Sequence, residues 1–428
     1  MTPLRILHLR VVRGTGGGPD KTTLRGCAWL RRHGHDAQAF YMLDAREDTG
    51  RLQQLAAELG VPMRVALERS PLSPGTLWRL REVLAGGRFD VLHTHDYKSN
   101  AMAQLARVAF GFGGRVVATA HGYNRTTRRE VLYYGLERAC FRHVRAIICP
   151  TRDMWRLLRG FGLPASRLHV IPNGIETAGR ARPKERRVAG VSPASGMPVT
   201  AGEIGGKSTP NAGETPATRA TTRLLYLGRL SAEKDVANLL RAAVLLRERG
   251  VRFDLRIAGD GPERASLEAQ AREANLLAAN TAAAHAAPAR VEFLGFRTDV
   301  DDLLAEADIL VNPSQTECMP NSVLEAMWAG VGVVATNVGG LSEMIRHTEQ
   351  GLLCPPRDST ALADAVAQLA GNRDELQRMT QNAAARVDAE FTFESRMNRV
   401  ETLYRTVLDE SQSPQAISHK VRNDGCNG

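Results

Sequence analysis

Short apolar runs alternate along the chain with longer segments in which apolar residues recur at helical spacing. The strand-like runs include residues 6–9, 91–93, 116–119, 146–149, 224–227, 255–258, 291–294, 309–311 and 333–335. Helix candidates lie between such runs, for example at residues 21–32, 236–249 and 322–328. A repeated order of strand, helix and strand predicts parallel α/β structure with helices on both faces of each sheet.

The alternation stops between residues 176 and 223, where Gly, Pro, Ser, Thr and Ala dominate and large apolar side chains are scarce. Such a composition cannot bury enough apolar surface to offset the entropy of ordering, so this segment is predicted to be a disordered insertion or linker. It separates two predicted Rossmann-like, doubly wound domains at residues 1–172 and 224–392. Residues 393–410 are predicted to form a helix that returns to the first domain, and residues 411–428 a flexible tail. Ligands of such domains bind at the carboxyl ends of the strands, so a cleft is expected there.

Composition and charge narrow the possible partners. The 428 residues carry a formal net charge of +10, which favours an anionic partner such as a nucleotide, a nucleic acid or a membrane surface. The six cysteines are scattered and form no C-x-x-C pair, so neither a disulfide framework nor a zinc site is expected. The start of the chain lacks the pattern of a secretion signal, and no apolar run reaches about 18 residues. We therefore expect a cytoplasmic protein.

Two strand-to-helix junctions carry residues suited to phosphate groups. The run Gly14-Thr15-Gly16-Gly17-Gly18-Pro19 follows the first strand and would allow the backbone to approach a phosphate at a helix N-terminus. Arg229 and Lys234 lie in the run from Gly228 to Lys234, where two converging cations can bind a diphosphate. The alternatives are an ordinary tight turn in the first case and two solvated cations in the second.

Two carboxylates eight residues apart, Glu317 and Glu325, flank the helix-start signal Pro320-Asn321-Ser322. Glu317 is expected in the loop before the helix and Glu325 about one turn inside it. A carboxylate accepts two hydrogen bonds and therefore suits the neighbouring hydroxyls of a sugar. Glu325 could equally be an ordinary residue of the helix surface.

Histidines mark a further part of the first domain. His121 precedes Gly122 at the end of a predicted strand, where it would reach a cleft, although a lone histidine is more often structural. The run His93-Thr94-His95-Asp96 resembles a cluster of metal ligands. The two histidines are expected to point to opposite faces of the strand, so no metal site is predicted there.

Taken together and in this order, these motifs resemble the large retaining glycosyltransferase family called family four. The second half carries the most specific matches, namely G-R-L-S-A-E-K from Gly228, A-G-D-G-P-E from Ala258, the pair Glu317 and Glu325, E-A-M-W-A-G from Glu325, and V-G-G-L-S-E from Val338. The first half matches through its G-G-G-P-D-K loop, its H-T-H-D-Y segment and its H-G turn. The resemblance implies the two-domain GT-B fold.

The resemblance also implies an activity and a set of site residues. The activity is transfer of a sugar, with retention, from a UDP- or GDP-sugar to a saccharide or lipid-linked acceptor, in cell-envelope or exopolysaccharide biosynthesis. Family members of this kind generally need no metal, since the basic pair replaces it, and no cofactor is expected. The implied catalytic residues are Glu317, His121, Arg229 and Lys234, and the implied donor-binding residues are Gly16, Gly17, Gly18, Gly228, Arg229, Lys234, Gly259, Glu317, Asn321, Ser322 and Glu325.

Each implied role is distinct. Arg229 and Lys234 would hold the diphosphate and stabilise the leaving nucleotide, which is electrostatic catalysis. Glu325 would bind the ribose, Glu317 the transferred sugar near its anomeric centre, and His121 the reacting region.

The sequence departs from the family pattern at Asp235, where glycine is common after the lysine. Asp235 can act as the N-cap of the following helix. The competing functions are a nucleotide-sugar epimerase or a phosphorylase of similar architecture, and a non-catalytic GT-B subunit that only binds a partner.

A basic segment from Arg125 to Arg145 bears on the acceptor. It contains six arginines and two glutamates with apolar and aromatic residues interleaved, a spacing compatible with a helix. A basic amphipathic helix could rest on an anionic membrane at its inner face. The alternative is a solvated face over an ordinary core stripe. Binding to nucleic acid is not predicted, because no recognition motif accompanies the charge.

Overall fold

The computed structural model describes residues 2–12, 18–46, 50–68, 73–122, 128–179, 181–188, 221–277 and 289–409. The chain forms two compact units, the first comprising Met1–Asn173 with Phe393–Gly428 and the second comprising Gly174–Thr392. Gly16, Gly17, Arg125, most of the 176–223 segment and the 411–428 tail lie outside the described residues.

The first unit is built on a seven-stranded parallel sheet in the order β3-β2-β1-β4-β5-β6-β7. Its strands are β1 Arg5–Val12, β2 Asp36–Asp44, β3 Met63–Glu68, β4 Val91–Thr94, β5 Arg115–Thr119, β6 Ala146–Cys149 and β7 Leu168–Val170. The described helices are α1 Gly18–Arg32, α2 Gly50–Glu58, α3 Pro74–Gly86, α4 Tyr97–Phe110, α5 Arg128–Phe141 and α6 Arg152–Gly160.

The second unit is built on a six-stranded parallel sheet in the order β10-β9-β8-β11-β12-β13. Its strands are β8 Thr222–Leu227, β9 Phe253–Ala258, β10 Ala289–Gly295, β11 Ile309–Asn312, β12 Gly332–Thr336 and β13 Leu352–Cys354. Its described helices are α7 Pro183–Val188, α8 Val236–Glu248, α9 Arg264–Glu273, α10 Val300–Glu306, α11 Asn321–Trp328, α12 Leu341–Met344, α13 Ser359–Gly371 and α14 Arg373–Glu390. Among the described helices of either unit, none is both long and apolar enough to cross a bilayer.

Both sheets are doubly wound, because the strand order reverses beside the first strand of each sheet. β1 lies between β2 and β4, and β8 lies between β9 and β11. The central strands β4, β11 and β12 are buried along their whole length, as expected for parallel strands covered on both faces. The predicted α/β class and parallel sheets are confirmed, and the reversal points mark where such sheets bind ligands.

The last described helix, α15 (Phe393–Asp409), belongs to the first unit. Phe393, Met397 and Tyr404 are buried in the same apolar core as β1 and α1. Trp29 donates its indole N–H to Glu394 Oε2 over 2.6 Å, which anchors the start of the helix. The first unit is therefore assembled from the two ends of the described chain.

The segment predicted to be one disordered insertion at residues 176–223 is partly ordered, so that prediction is wrong for residues 181–188. α7 packs against α10, Pro183 is buried, and the guanidinium of Arg182 lies 2.7 Å from a carboxylate oxygen of Asp388. The prediction failed because it averaged composition over a long window, which conceals a single charged helical turn that is fixed by tertiary contacts.

We expect residues 191–219 to be dispensable and α7 to be needed. Replacing 191–219 with a ten-residue Gly/Ser linker should change the melting temperature by less than about 2 °C, because loop-closure entropy varies slowly with length. Extending the replacement to residues 181–219 removes the α7 contacts and should lower it by about 3 °C or more. Thermal denaturation followed by circular dichroism measures both. Equal losses in the two variants would contradict the role given to α7.

Candidate active site

The turns that follow β8 and β9 pack backbone against backbone. The amide of Gly228 donates to the carbonyl of Ala258 over 3.1 Å. Gly259 has a φ of +155°, and a Cβ there would lie 1.8 Å from the carbonyl oxygen of Gly228. A Cβ on Gly261 would lie 2.2 Å from the carbonyl oxygen of Leu230. Only glycine allows this approach, so the predicted donor-binding residues Gly228 and Gly259 meet at the carboxyl ends of neighbouring strands.

The two predicted diphosphate-binding cations lie beside these turns. The carbonyl of Arg229 accepts a hydrogen bond from the Tyr226 hydroxyl at 2.8 Å, whereas its side chain is exposed. Within the described part of the chain, no side chain pairs with this guanidinium. Lys234 ends a 3₁₀ turn, Ala232–Lys234, just before α8. Its ammonium lies 2.7 Å from Glu317 Oε1, so one cation is available and the other is already paired.

Glu317 lies in the loop after β11, and its side chain is only 7% exposed. One oxygen, Oε1, accepts from the Lys234 ammonium at 2.7 Å, from Ser314 Oγ at 2.8 Å and from Asn312 Nδ2 at 3.3 Å. The other, Oε2, accepts no hydrogen bond from the described residues. A carboxylate so far from water needs such donors, and the free oxygen can accept from a ligand.

Sequence reasoning missed Asn312 and Ser314, which hold Glu317 in place. They belong to the run Asn312-Pro313-Ser314, which begins with the last residue of β11, and their short polar side chains at a strand end were the signal available. Gly339, after β12, adds a third constraint. Its φ is +51°, and a Cβ there would lie 1.8 Å from the carbonyl oxygen of Glu317.

The predicted helix after Glu317 begins where the sequence indicated. α11 starts at Asn321 with Pro320 as its N-cap residue, so Glu325 lies in its second turn, as expected. Ser322 and Glu325 are half-buried. The buried side-chain oxygen of Asn321 has no hydrogen-bond partner among the described residues, which leaves an acceptor at the start of the helix.

The departure at Asp235 has a structural basis. Asp235 is the N-cap of α8, and its carboxylate accepts from the amide of Asn238 at 3.3 Å. The prediction that it caps the helix is therefore confirmed. Its φ and ψ are +46° and +45°, a left-handed conformation that costs a non-glycine residue roughly 1 kcal/mol or more.

In the first unit, Gly18 is the one glycine of the predicted loop among the described residues, and it is the first residue of α1. His121 follows β5 and precedes Gly122, whose φ of +129° gives the predicted sharp turn. His121 Nε2 lies 3.5 Å from His95 Nδ1. His95 Nε2 in turn lies 2.9 Å from His8 Nδ1 in β1. Three elements thus contribute to a row of imidazoles that ends at the exposed His121.

The prediction that His93 and His95 point to opposite faces is wrong. Their rings stack with centroids 4.3 Å apart. The reason lies in the geometry of a strand, in which residues i and i+2 point to the same face and only adjacent residues alternate. β4 ends at Thr94, and His95, the next residue, keeps its ring on the side of His93. The His-x-His spacing therefore indicated that the two rings could meet.

Ring nitrogens of His8, His93 and His95 lie within 4.8 Å of one another, a grouping that could hold a metal ion. Both nitrogens of His93 are engaged, however, with the Tyr404 hydroxyl at 2.5 Å and Thr119 Oγ1 at 2.8 Å. A cation would therefore have to displace existing hydrogen bonds.

Burial holds the three inner histidines neutral. It lowers the pKa of His8 to about 3 and places the pKa values of His93 and His95 well below their ordinary value. Arg10 and Arg396 are the nearby charged groups that act in the same direction on this cluster.

These histidines should make the first unit sensitive to acid. Below pH 6.5 these histidines are protonated in the unfolded chain but stay neutral in the folded state. The free energy of unfolding therefore decreases as pH falls from about 6.5 toward 3. One such group contributes a slope of about 1.4 kcal/mol per pH unit. His8→Gln should reduce the slope by that amount, whereas the exposed His143→Gln should not. Urea unfolding between pH 7 and pH 5 tests this, followed by tryptophan fluorescence, since Trp29, Trp78 and Trp155 lie in the first unit. Equal slopes in His8→Gln and the parent protein would count against a neutral His8.

Comparison with known proteins gives a consistent picture. A family model described as Glycosyltransferase Family 4 matches residues 16–178, and one described as Glycosyl transferases group 1 matches residues 221–372. EpsD of Bacillus subtilis (strain 168), to which a glycosyltransferase role is ascribed, is 25% identical over 399 residues, which is 91% of this chain and 94% of EpsD. WcaL of Escherichia coli (strain K12), ascribed a glycosyltransferase role in colanic acid biosynthesis, is 26% identical over 314 residues, 71% of this chain and 67% of WcaL.

Solved structures show the same architecture. Anabaena HepE, crystallised with UDP and glucose, superposes with a TM-score of 0.70 at 20% identity, covering 94% of this chain and 99% of HepE. Sucrose-phosphate synthase from Thermosynechococcus elongatus superposes with a TM-score of 0.71 at 20% identity, covering 95% and 100%. The predicted GT-B architecture is thereby confirmed. With both halves matched by glycosyltransferase models, the chain belongs to the family-four (group 1) glycosyltransferases.

Proposed function

We propose that this glycosyltransferase transfers a sugar from a UDP- or GDP-sugar with retention of anomeric configuration. The observation that carries the proposal is the ion pair between Lys234 and Glu317, 2.7 Å apart, with the exposed Arg229 on the same strand-end turn. The two cations, Arg229 and Lys234, suit a diphosphate. The carboxylate of Glu317, one oxygen of which has no donor among the described residues, suits a sugar next to that diphosphate. The complex of HepE with UDP and glucose supports this ligand class.

In the proposed reaction, Arg229 and Lys234 contact the diphosphate and stabilise the negative charge that develops as the nucleotide leaves. Arg229 can bind two phosphate oxygens at once, whereas Lys234 acts as a point charge. Because these two side chains supply the positive charge, we propose that neither a metal ion nor a cofactor takes part.

The carboxylates are assigned to hydroxyl groups. Glu317 Oε2, which has no donor among the described residues, accepts from a hydroxyl of the transferred sugar near the anomeric carbon. Glu325 accepts from the two ribose hydroxyls, with Asn321 and Ser322 at the same helix start. His121, at the exposed end of the imidazole row, contacts the reacting region in this proposal.

A donor assay tests the proposal directly. Labelled UDP- and GDP-sugars are incubated with the protein, with and without EDTA, and the released sugar and nucleotide are measured. Thermal shift with each donor measures binding, since a ligand of the native state raises the melting temperature. Interconversion of the sugar on the nucleotide would indicate an epimerase. Binding without turnover would indicate a non-catalytic subunit.

Two substitutions should abolish most activity and leave the fold intact. Lys234→Ala and Glu325→Ala should each lower kcat/KM by about 100-fold or more, because each removes a charged contact from the donor. Lys234→Arg keeps the charge and should retain more activity than Lys234→Ala. Glu273→Ala, on the exposed face of α9, is the matched control. Wild-type turnover in Lys234→Ala or Glu325→Ala would refute the assignment of that residue.

We further propose that the acceptor is lipid-linked and that α5 with the residues after it meets an anionic surface at the inner face of the membrane. Leu136, Arg142 and Arg145 are exposed, which supports this surface. Glu137, one of the two glutamates of α5, is buried and accepts from Asn100 Nδ2 at 3.2 Å, so its carboxylate is not part of the exposed surface. Phe141 is buried, which fits the alternative of a core stripe under a solvated face, with a soluble saccharide as acceptor.

Sedimentation with vesicles distinguishes these alternatives. The protein should bind vesicles increasingly as the anionic lipid fraction rises, and less in high salt, because each basic residue near the surface contributes about 1 kcal/mol that salt screens. Arg142→Glu/Arg145→Glu should reduce binding, whereas the control Arg252→Glu/Arg272→Glu, at exposed positions of the second unit, should have less effect. Protein that stays in the supernatant at every composition would favour a soluble acceptor.

A further inference from the structure

Gln315 connects the loop that carries Glu317 to the turn that carries Lys234. Its backbone amide donates to the carbonyl of Glu233 at 2.8 Å. Its side-chain amide donates from Nε2 to Asp235 Oδ2 at 3.0 Å. The residues on both sides of Lys234 are thus bonded to a single residue that lies two positions before Glu317.

The other end of the Gln315 side chain is also occupied. Its Oε1 accepts from a guanidinium nitrogen of Arg357 at 2.6 Å. The amide of Gln315 therefore bridges Asp235, at the start of α8, and Arg357, in the turn after β13. Three separate strand-end segments of the second unit meet at this one side chain.

The two partners of Gln315, Asp235 and Arg357, both have a left-handed backbone conformation. Asp235 and Arg357 have φ values of +46° and +62°, and they are two of the four non-glycine residues with positive φ among those described. Glycine adopts this region without strain, and other residues do so rarely. Glycine at either position would lack the side chain that reaches Gln315. An observed backbone outlier of this kind points toward a functional contact.

We propose that Gln315 is a positioning residue, which, with Asp235 and Arg357, holds Lys234 against Glu317 before the donor binds. This inference rests on the proposed donor site. The hydrogen bonds from Gln315 to Glu233 and Asp235 hold the turn that carries Lys234. Glu317 lies only two residues after Gln315, so the same bonds also restrict the position of its carboxylate. The spacing between the ammonium and Glu317 is then set in the unliganded protein, which removes the cost of ordering both side chains on binding.

An ordinary loop contact would stabilise the fold without affecting Lys234. Two readouts separate the possibilities. One is the affinity for UDP and for GDP by isothermal titration calorimetry. The other is the rate at which Lys234 reacts with an amine-specific acylating reagent, followed by peptide mass spectrometry. The second readout does not depend on any nucleotide.

Gln315→Ala and Arg357→Ala should each weaken binding of the preferred nucleoside diphosphate by about fivefold, the typical effect of losing one hydrogen bond. Each should also raise the acylation rate of Lys234, because the ion pair with Glu317 loosens. Gln368→Ala, an exposed glutamine of α13 that bonds only to Glu375 among the described residues, should change neither quantity.

Exchanging the amide and the carboxylate between Gln315 and Asp235 should restore the contact that a single substitution disrupts. Gln315→Glu alone places a carboxylate against Asp235 and should weaken binding more than Gln315→Ala. Gln315→Glu/Asp235→Asn restores a donor and an acceptor across the same contact, and asparagine tolerates the left-handed conformation. The double variant should recover most of the affinity and the slow acylation of Lys234.

The outcomes are distinct. Wild-type affinity and wild-type acylation in Gln315→Ala, or no recovery in the double variant, would overturn the positioning role. If the parent protein binds neither UDP nor GDP, the proposed donor class fails. The acylation rates then still decide whether Gln315 positions Lys234.

Discussion

The contact between Lys234 and Glu317 is the constraint around which the loops at the strand ends of the second unit are arranged. A carboxylate that is only 7% exposed loses most of its hydration, and this loss must be offset by donors. One charged and two neutral donors converge on a single oxygen, which leaves the second oxygen open. Lys234 comes from the turn after β8, whereas Glu317, Ser314 and Asn312 come from the end of β11 and the loop after it. These strands are neighbours in the sheet, so the doubly wound topology is what allows the pair to form.

Close backbone approach keeps these loops in place. The missing side chains of Gly259 and Gly261 allow the chain after β9 to lie against the chain after β8, and the missing side chain of Gly339 allows the loop after β12 to lie against Glu317. An added Cβ would collide with a carbonyl oxygen in each case, and backbone cannot move aside as a flexible side chain can. The loops therefore have few alternative conformations, which is the preorganisation that electrostatic catalysis requires.

The sequence predicted those features that follow from local chemistry. The nine predicted strand runs, the helix start at Pro320-Asn321-Ser322 and the cap at Asp235 all depend on short-range patterns, and the structure agrees with them. The strands β2, β3, β7 and β13 are not among the predicted runs. The failures have different causes. α7 is ordered by Asp388 and α10, about a hundred or more residues away in the chain, which a local pattern does not show. His95 meets His93 because residues i and i+2 of a strand point to the same face, so the spacing itself indicated this contact. The bridge of Gln315 to Asp235 and Arg357 spans 80 and 42 residues, so no local pattern could have indicated it.

The candidate donor site and the imidazole row hold their polar groups in different ways. In the donor site the guanidinium of Arg229 is exposed. In the first unit, burial lowers the pKa of His8, His93 and His95, so the imidazoles keep a lone pair on one nitrogen and a proton on the other. His8 Nε2 has no partner among the described residues, and a buried N–H without an acceptor is costly. The favoured tautomer therefore leaves Nε2 bare and places the proton on Nδ1, where it points to His95. His95 Nε2 then accepts the proton of His8 Nδ1, so His95 carries its own proton on Nδ1 and donates it to His121 Nε2. His121 in turn carries its proton on Nδ1, where it is a donor at the exposed end of the row.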